Sequence, residues 1–178
     1  MTLFDAKQHS VLQWMRKHAA VSASANTGVL NMLGGVSAEI IMAFGTENAT
    51  WTSTGKYTVV VKHGDTKEYA AMETVTGDDI IYDGLSGVTP DWDNGVWMTL
   101  NGDTIRDAVK DKAHRLVYRG NKQYVAIGFV KSGSAGNIVG VDVVGIVHGV
   151  GQAGAGVTYA NTPDLSAGNV SSAIVATT

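Results

Sequence analysis

The sequence predicts an α+β protein: a mainly antiparallel β-sheet or small barrel, an N-terminal amphipathic helix, one further helix near residues 103–113, and an extended Gly/Ala/Ser-rich C-terminal arm. Three observations carry this expectation. Residues 2–20 repeat apolar side chains at three- and four-residue steps. Residues 56–147 alternate apolar and polar side chains between tight-turn pairs. Residues 148–178 have little periodicity and no lysine or arginine. The chain accordingly divides into an N-terminal helical or arm region (1–45), a β-rich body (46–147) and a C-terminal arm (148–178).

In the first segment Phe4, Val11 and Met15, with Leu12 and Ala19 beside them, fall at helical spacing, while Asp5, Lys7, Gln8, Arg16 and Lys17 take the other positions. Thr2 and Asp5 suit a helix start. The segment carries +2 against −5 for the remainder, so it is the one basic element. Its apolar stripe needs a partner, either its own domain or a neighbouring subunit, which makes Phe4, Val11, Trp14 and Met15 candidate interface residues. Val29, Leu33, Val36, Ile40 and Phe44 again suit a helix, but Gly34-Gly35 interrupts it at about 1 kcal/mol per glycine. Glu39 to Phe44 reads equally well as a strand.

Beyond Gly45 the texture is β. Trp51 to Thr54 and Lys56 to His63 lead, the latter with Tyr57, Val59 and Val61 on one face. Lys67 to Thr76, Ile80 to Tyr82 and Val96 to Leu100 follow as short strands. Asp83-Gly84, Asn94-Gly95 and Asn101-Gly102 are pairs that favour positive φ in tight turns. Thr104 to Ala113 is the second helix, with Ile105, Ala108, Val109 and Lys112 at helical spacing behind the cap residue Asp103. Three antiparallel strands then follow: His114 to Arg119, Gln123 to Lys131 and Ile138 to Val147. Leu116 and Tyr118, then Val125, Ile127 and Phe129, then Val139, Val141 and Val143 alternate along them.

The end of the chain is Gly, Ala, Ser, Thr and Val, and after Lys131 its only charges are Asp142 and Asp164. Alone in water it reads as a mobile tail. Laid on a neighbouring subunit, its β-prone end suits strand addition, with Ile174 and Val175 as interface candidates.

Composition narrows function. The 178 residues include no cysteine, 22 glycines, two prolines and only 16% charged side chains. The lack of cysteine excludes disulfides, thiolate metal sites and a cysteine nucleophile. A net charge of −3 argues against nucleic-acid binding through a broad basic surface. No apolar signal-peptide core follows the first basic residues, and polar residues with Gly34-Gly35 dilute Ala25 to Gly45 as a membrane span. The glycosylation-type triplets at Asn48 and Asn169 read as chance matches.

Motifs that could carry chemistry are each better explained otherwise. Gly149, Gly151 and Gly154 match G-x-G-x-x-G, but Ala155 to Pro163 is a poor helix and Asp164 comes too early for the ribose-binding acid. Asp91, Asp93 and Gly95 imitate a calcium loop, yet Gly102 stands where its glutamate belongs, so turn chemistry fits better. His9, His18, His63, His114 and His148 show no metal-binding spacing, and His63-Gly-Asp65 reads as a solvated turn. No serine sits in G-x-S-x-G. Trp14, Trp51, Trp92 and Trp97 read as core or interface anchors before sugar-stacking platforms. No catalytic, cofactor-binding or metal-ligating residue is assigned, and no cofactor is expected.

The run Tyr118 to Val147, Y-R-G-N-K-Q-Y-V-A-I-G-F-V-K-S-G-S-A-G-N-I-V-G-V-D-V-V-G-I-V, together with the scarce charge and the Gly/Ala-rich end, resembles the capsid decoration or cement proteins of tailed bacteriophages. The likeness covers about a sixth of the chain, rests on style rather than on a signature motif, and carries over no individual binding residue. It implies a noncatalytic virion protein, made in the host cytoplasm, that sits on or between major capsid subunits, often as a trimer, and reinforces the shell with terminal arms. No direct contact with nucleic acid or membrane is expected. Alternatives are another virion component (tail tube, adaptor or fibre), a small hydrolase using His63 or His114, and a glycan-binding adhesin using Trp92 and Trp97.

Overall fold

The computed structural model describes residues 10–32, 35–45, 47–48, 54–82, 89–101 and 112–149. Twelve strands run through them: β1 (Ser10–Val21), β2 (Ala25–Asn26), β3 (Leu30–Asn31), β4 (Ser37–Phe44), β5 (Glu47–Asn48), β6 (Lys56–Gly64), β7 (Glu73–Thr74), β8 (Ile80–Tyr82), β9 (Val96–Asn101), β10 (Ala113–Tyr118), β11 (Tyr124–Ser132) and β12 (Asn137–His148). Every pairing is antiparallel. The first sheet has the order β1-β12-β4-β10-β8, with β5 also on β12. The second has the order β2-β11-β6-β7, with β3 on β11 and β9 on β6.

One apolar core joins the two sheets into a sandwich. Met15, Ile40, Met42, Leu116, Val141 and Val143 come from the first sheet, and Leu30, Tyr57, Val59, Trp97, Ile127 and Phe129 from the second. Alternation puts them there: β4 reads half-buried then buried through all eight residues, and β6 does the same from Tyr57 to His63. Each large side chain removed from water is worth about 1.5–3 kcal/mol, so the sheets hold chiefly by this layer. The sheets approach closely where β12 carries Gly145. A β-carbon there would lie 2.6 Å from Leu30 Cδ1 of the second sheet, so only glycine fits without repacking.

The sandwich is bridged along its β1 edge. The Gly28 N–H donates to the Met15 carbonyl at 2.6 Å, the Gln13 side-chain amide donates to the Val29 carbonyl at 2.9 Å, and the Tyr57 hydroxyl of β6 donates to the Val21 carbonyl at the end of β1 at 3.1 Å. At the opposite edge of the first sheet the Arg119 N–H donates to the Asp79 carbonyl at 2.8 Å and so extends the β8–β10 ladder.

The α+β expectation is overturned: the described residues are mostly antiparallel strand, 62%, and contain no helix of seven or more residues. Ser10–Val21 is the strand β1, not the body of an amphipathic helix, while residues 1–9 lie outside the described residues. Val11 and Met15 are four apart, which places them on one face of a strand as surely as on one face of a helix. Bulges after Trp14, Arg16 and Ala19 further break the two-residue period. The helical reading through Phe44 is likewise replaced, by β3 and β4. Lys67 to Thr76 forms a 3-10 turn at Tyr69–Ala71 and only the short β7. Of the helix expected near 103–113, Lys112 and Ala113 are described, and Ala113 opens β10. The C-terminal arm beyond Gly149 and the strand at Trp51 lie outside the described residues, Thr54 excepted.

Candidate functional site

Two polar groupings and one apolar surface stand out once the sheets are assembled. The first grouping sits between the sheets. His63, near the end of β6, is 6% exposed, and its Nδ1 lies 2.9 Å from the hydroxyl of Tyr118 on β10. The Lys122 backbone N–H donates to the same hydroxyl at 3.4 Å. Nε2 faces Glu73 Oε1 at 3.9 Å, and Nδ1 is 4.0 Å from Asp79 Oδ2. Lys122 closes the ring outside, with Nζ at 3.1 Å from Glu73 and 3.2 Å from Asp65, and these hydrogen bonds raise its pKa.

Burial, reinforced by the charges of Asp79, Asp65 and Glu73, pushes the Tyr118 phenol up to about 12, although the Lys122 N–H pulls the other way. A phenol held protonated at neutral pH donates a hydrogen bond well and is a poor nucleophile or base. The Thr76 hydroxyl donates to Asp79 Oδ2 at 3.0 Å. The grouping suits a lock between sheets better than an acyl-transfer centre.

The second grouping crosses the outer face of the first sheet. Ser10 Oγ lies 3.0 Å from His148 Nδ1, His148 Nε2 lies 3.6 Å from Glu39 Oε2, and Arg115 Nε pairs with Glu39 Oε1 at 2.6 Å. The order hydroxyl, imidazole, carboxylate is that of a hydrolytic triad. Here, however, it spans the open face of a sheet. β12 and β4 are interior strands with ladders on both sides, so their N–H groups are not gathered to receive an oxyanion. The chain of contacts ties four strands, β1, β12, β4 and β10, side by side.

Beside this polar row lies an apolar patch. Leu12 and Ile146 are register partners, as are Trp14 and Val144, and Val144 is also paired with Ile41. All five side chains point away from the core, Leu12 at 37% exposed and the others half-buried. Among the described residues no third sheet lies over them.

The residues singled out from sequence fall as follows. Met15 is a core residue at 1% exposed, Val11 packs partly buried against the core, and Trp14 joins the outer patch. Phe4, Ile174 and Val175 lie outside the described residues, as does the glycine motif past Gly149. His63 is buried in a strand, not solvated in a turn, and His114 is buried with its ring edge-on to Phe44. Trp97 is fully buried and Trp92 packs on the core, so Trp97 has no face for a sugar. Asp91 to Gly95 form a turn in which the Asn94 amide donates to Asp91 Oδ2 at 2.8 Å and Gly95 takes φ +65°. Among the described residues, no three histidine, aspartate or glutamate side chains converge as a metal-holding group, and no helix is long and apolar enough to cross a membrane.

Sequence reasoning missed the Tyr118–His63 tie, the Ser10–His148–Glu39–Arg115 row and the outer patch. The first joins residues 55 apart and the second begins with a pair 138 apart, so no local spacing reveals them. The patch left one trace, the apolar residues at both parities of β1. No family model matches the chain, and the curated proteins contain no significant match to it.

Proposed function

We propose that this chain is a noncatalytic structural protein of a virion, binding and reinforcing a capsid shell as a decoration or cement protein, with another virion component such as a tail-tube, adaptor or fibre protein as the alternative. The observation that carries the reading is the pairing of Ser10 with His148. It sets the two described ends, Ser10 and Gly149, side by side at one corner of the sandwich, beside an apolar outer patch. A body whose two ends lie together can grip neighbouring subunits at several weak points, which symmetry repeats around a shell. The scarcity of charge fits surfaces that are desolvated in contact, where charged groups are depleted. Major capsid subunits and further copies of the chain, as a trimer or another closed ring, are the partners in this reading.

The test is co-sedimentation of the purified chain with empty capsid shells of the phage whose genome encodes it. Saturable binding at a fixed ratio to capsid subunits, with a raised dissociation temperature of the shell, is the expected result. A monomer that stays in the supernatant at every concentration would remove the shell-binding reading.

A further inference from the structure

We propose that the outer patch of the first sheet, formed by Leu12, Trp14, Ile41, Val144 and Ile146, receives the C-terminal segment, residues 150–178, of a second copy of this chain. The inference rests on the structural reading above and adds the surface and the partner. Its first support is size. Three strands about 4.8 Å apart and two side-chain rows give an apolar area on the order of 200 Å². A globular partner forming a stable complex covers about 800 Å² on each side, so the patch alone is too small for one and about right for a strip of extended chain.

Charge is the second support. The patch is bordered at one end by the Glu39–Arg115 ion pair and by His148, whose polar groups already face one another, and at the other by the acidic Asp142. An incoming charged segment would lose hydration here with no free counter-charge to meet. Residues 150–178 carry one charge, Asp164, and place Val157, Tyr159, Leu165, Val170, Ile174 and Val175 among small residues.

Direction is the third. β12 runs from Asn137 to His148, so the chain passes Val144 and then Ile146 before leaving at Gly149. The described chain thus ends past its own patch. Exchange between copies also makes the contact twice per pair, so two weak seatings act together.

Because the chain lacks cysteine, the test can be covalent. Full-length Leu12→Cys and Val175→Cys chains, carrying different mass tags, are mixed and treated with a short bismaleimide, alongside the Leu12→Cys/Val175→Cys double variant. We expect covalent heterodimers in the mixture and dimers from the double variant. Adding Ile146→Asp to the Leu12→Cys chain should lower heterodimer yield about tenfold, with an unchanged far-UV spectrum. Reaction only within single chains of the double variant, no heterodimer, or a yield indifferent to Ile146→Asp would each overturn the proposal. Shell co-sedimentation of the unmodified chain separates the two readings: crosslinking that fails while sedimentation succeeds removes the surface assignment alone.

Discussion

The hydroxyl of Tyr118 on β10 and Nδ1 of His63 on β6 lie 2.9 Å apart, a buried hydrogen bond running from one sheet of the sandwich to the other. Tyr118→Phe keeps the ring and leaves His63 Nδ1 without this partner, so we expect a loss of about 1–3 kcal/mol at pH 7 by urea unfolding. A loss under a few tenths would mean that the bond contributes nothing to holding the sheets.

The same tyrosine sets an alkaline limit. Its folded pKa is raised, to about 12 against an ordinary 10.0, so its contribution is fully present below pH 10 and is lost as pH rises towards 12. The size is about 2–3 kcal/mol. Unfolding free energies measured at pH 9 and pH 11.5 should therefore fall more steeply for the native chain than for Tyr118→Phe. Parallel curves would count against the cause assigned.

Gly145 is matched to Leu30 across the core. Gly145→Val should cost about 1–3 kcal/mol through overpacking, and pairing it with Leu30→Ala should recover part of that cost, because the colliding δ-carbons are removed. Strict additivity of the two changes in a double-mutant cycle would show that they do not meet.

Strand and helix make different demands on β1. As a strand facing the core with one side, it should lose about 2–5 kcal/mol on Met15→Ala and less than about 1 kcal/mol on Leu12→Ala, read by chemical denaturation. Equal costs would contradict the alternation.

Glu39 and Arg115 form a short ion pair, but the arginine side chain is 54% exposed, which leaves solvent to screen it. Arg115→Met should cost under about 1 kcal/mol, with the difference shrinking further in 1 M salt. A larger, salt-insensitive loss would show the row to be structural in its own right.

These relationships explain what could be read from residues alone. β6, β10, β11 and β12 announce themselves because one side of each meets the core and Tyr57, Leu116, Ile127 or Val143 recur on every second place, whereas β9 buries Trp97 and Met98 in succession and is marked by the Asn-Gly pairs that flank it. β1 hides because both its sides are apolar: Met15 serves the core while Leu12 and Trp14 serve the outer patch, and the sum looks like a helical stripe. The patch that misleads the reading of the fold is the surface on which the proposed contact depends. The His63 grouping is illegible for another reason. Its members come from β6, β7, the turn before β8, and β10 with the loop after it, so only the closed sandwich brings them together.

β12 lies between β1 and β4, so the order of synthesis matters. During translation β1 and β4 leave the ribosome long before the strand that separates them exists, and Ser10 waits for a partner 138 residues downstream. Until then both strands present unsatisfied edges, and pairing over such separations is slow. The nascent chain therefore has most need of a chaperone, or of rapid elongation, while residues 49–136 are being made, and a ribosome stalled there would release a sticky fragment instead of a partly finished fold.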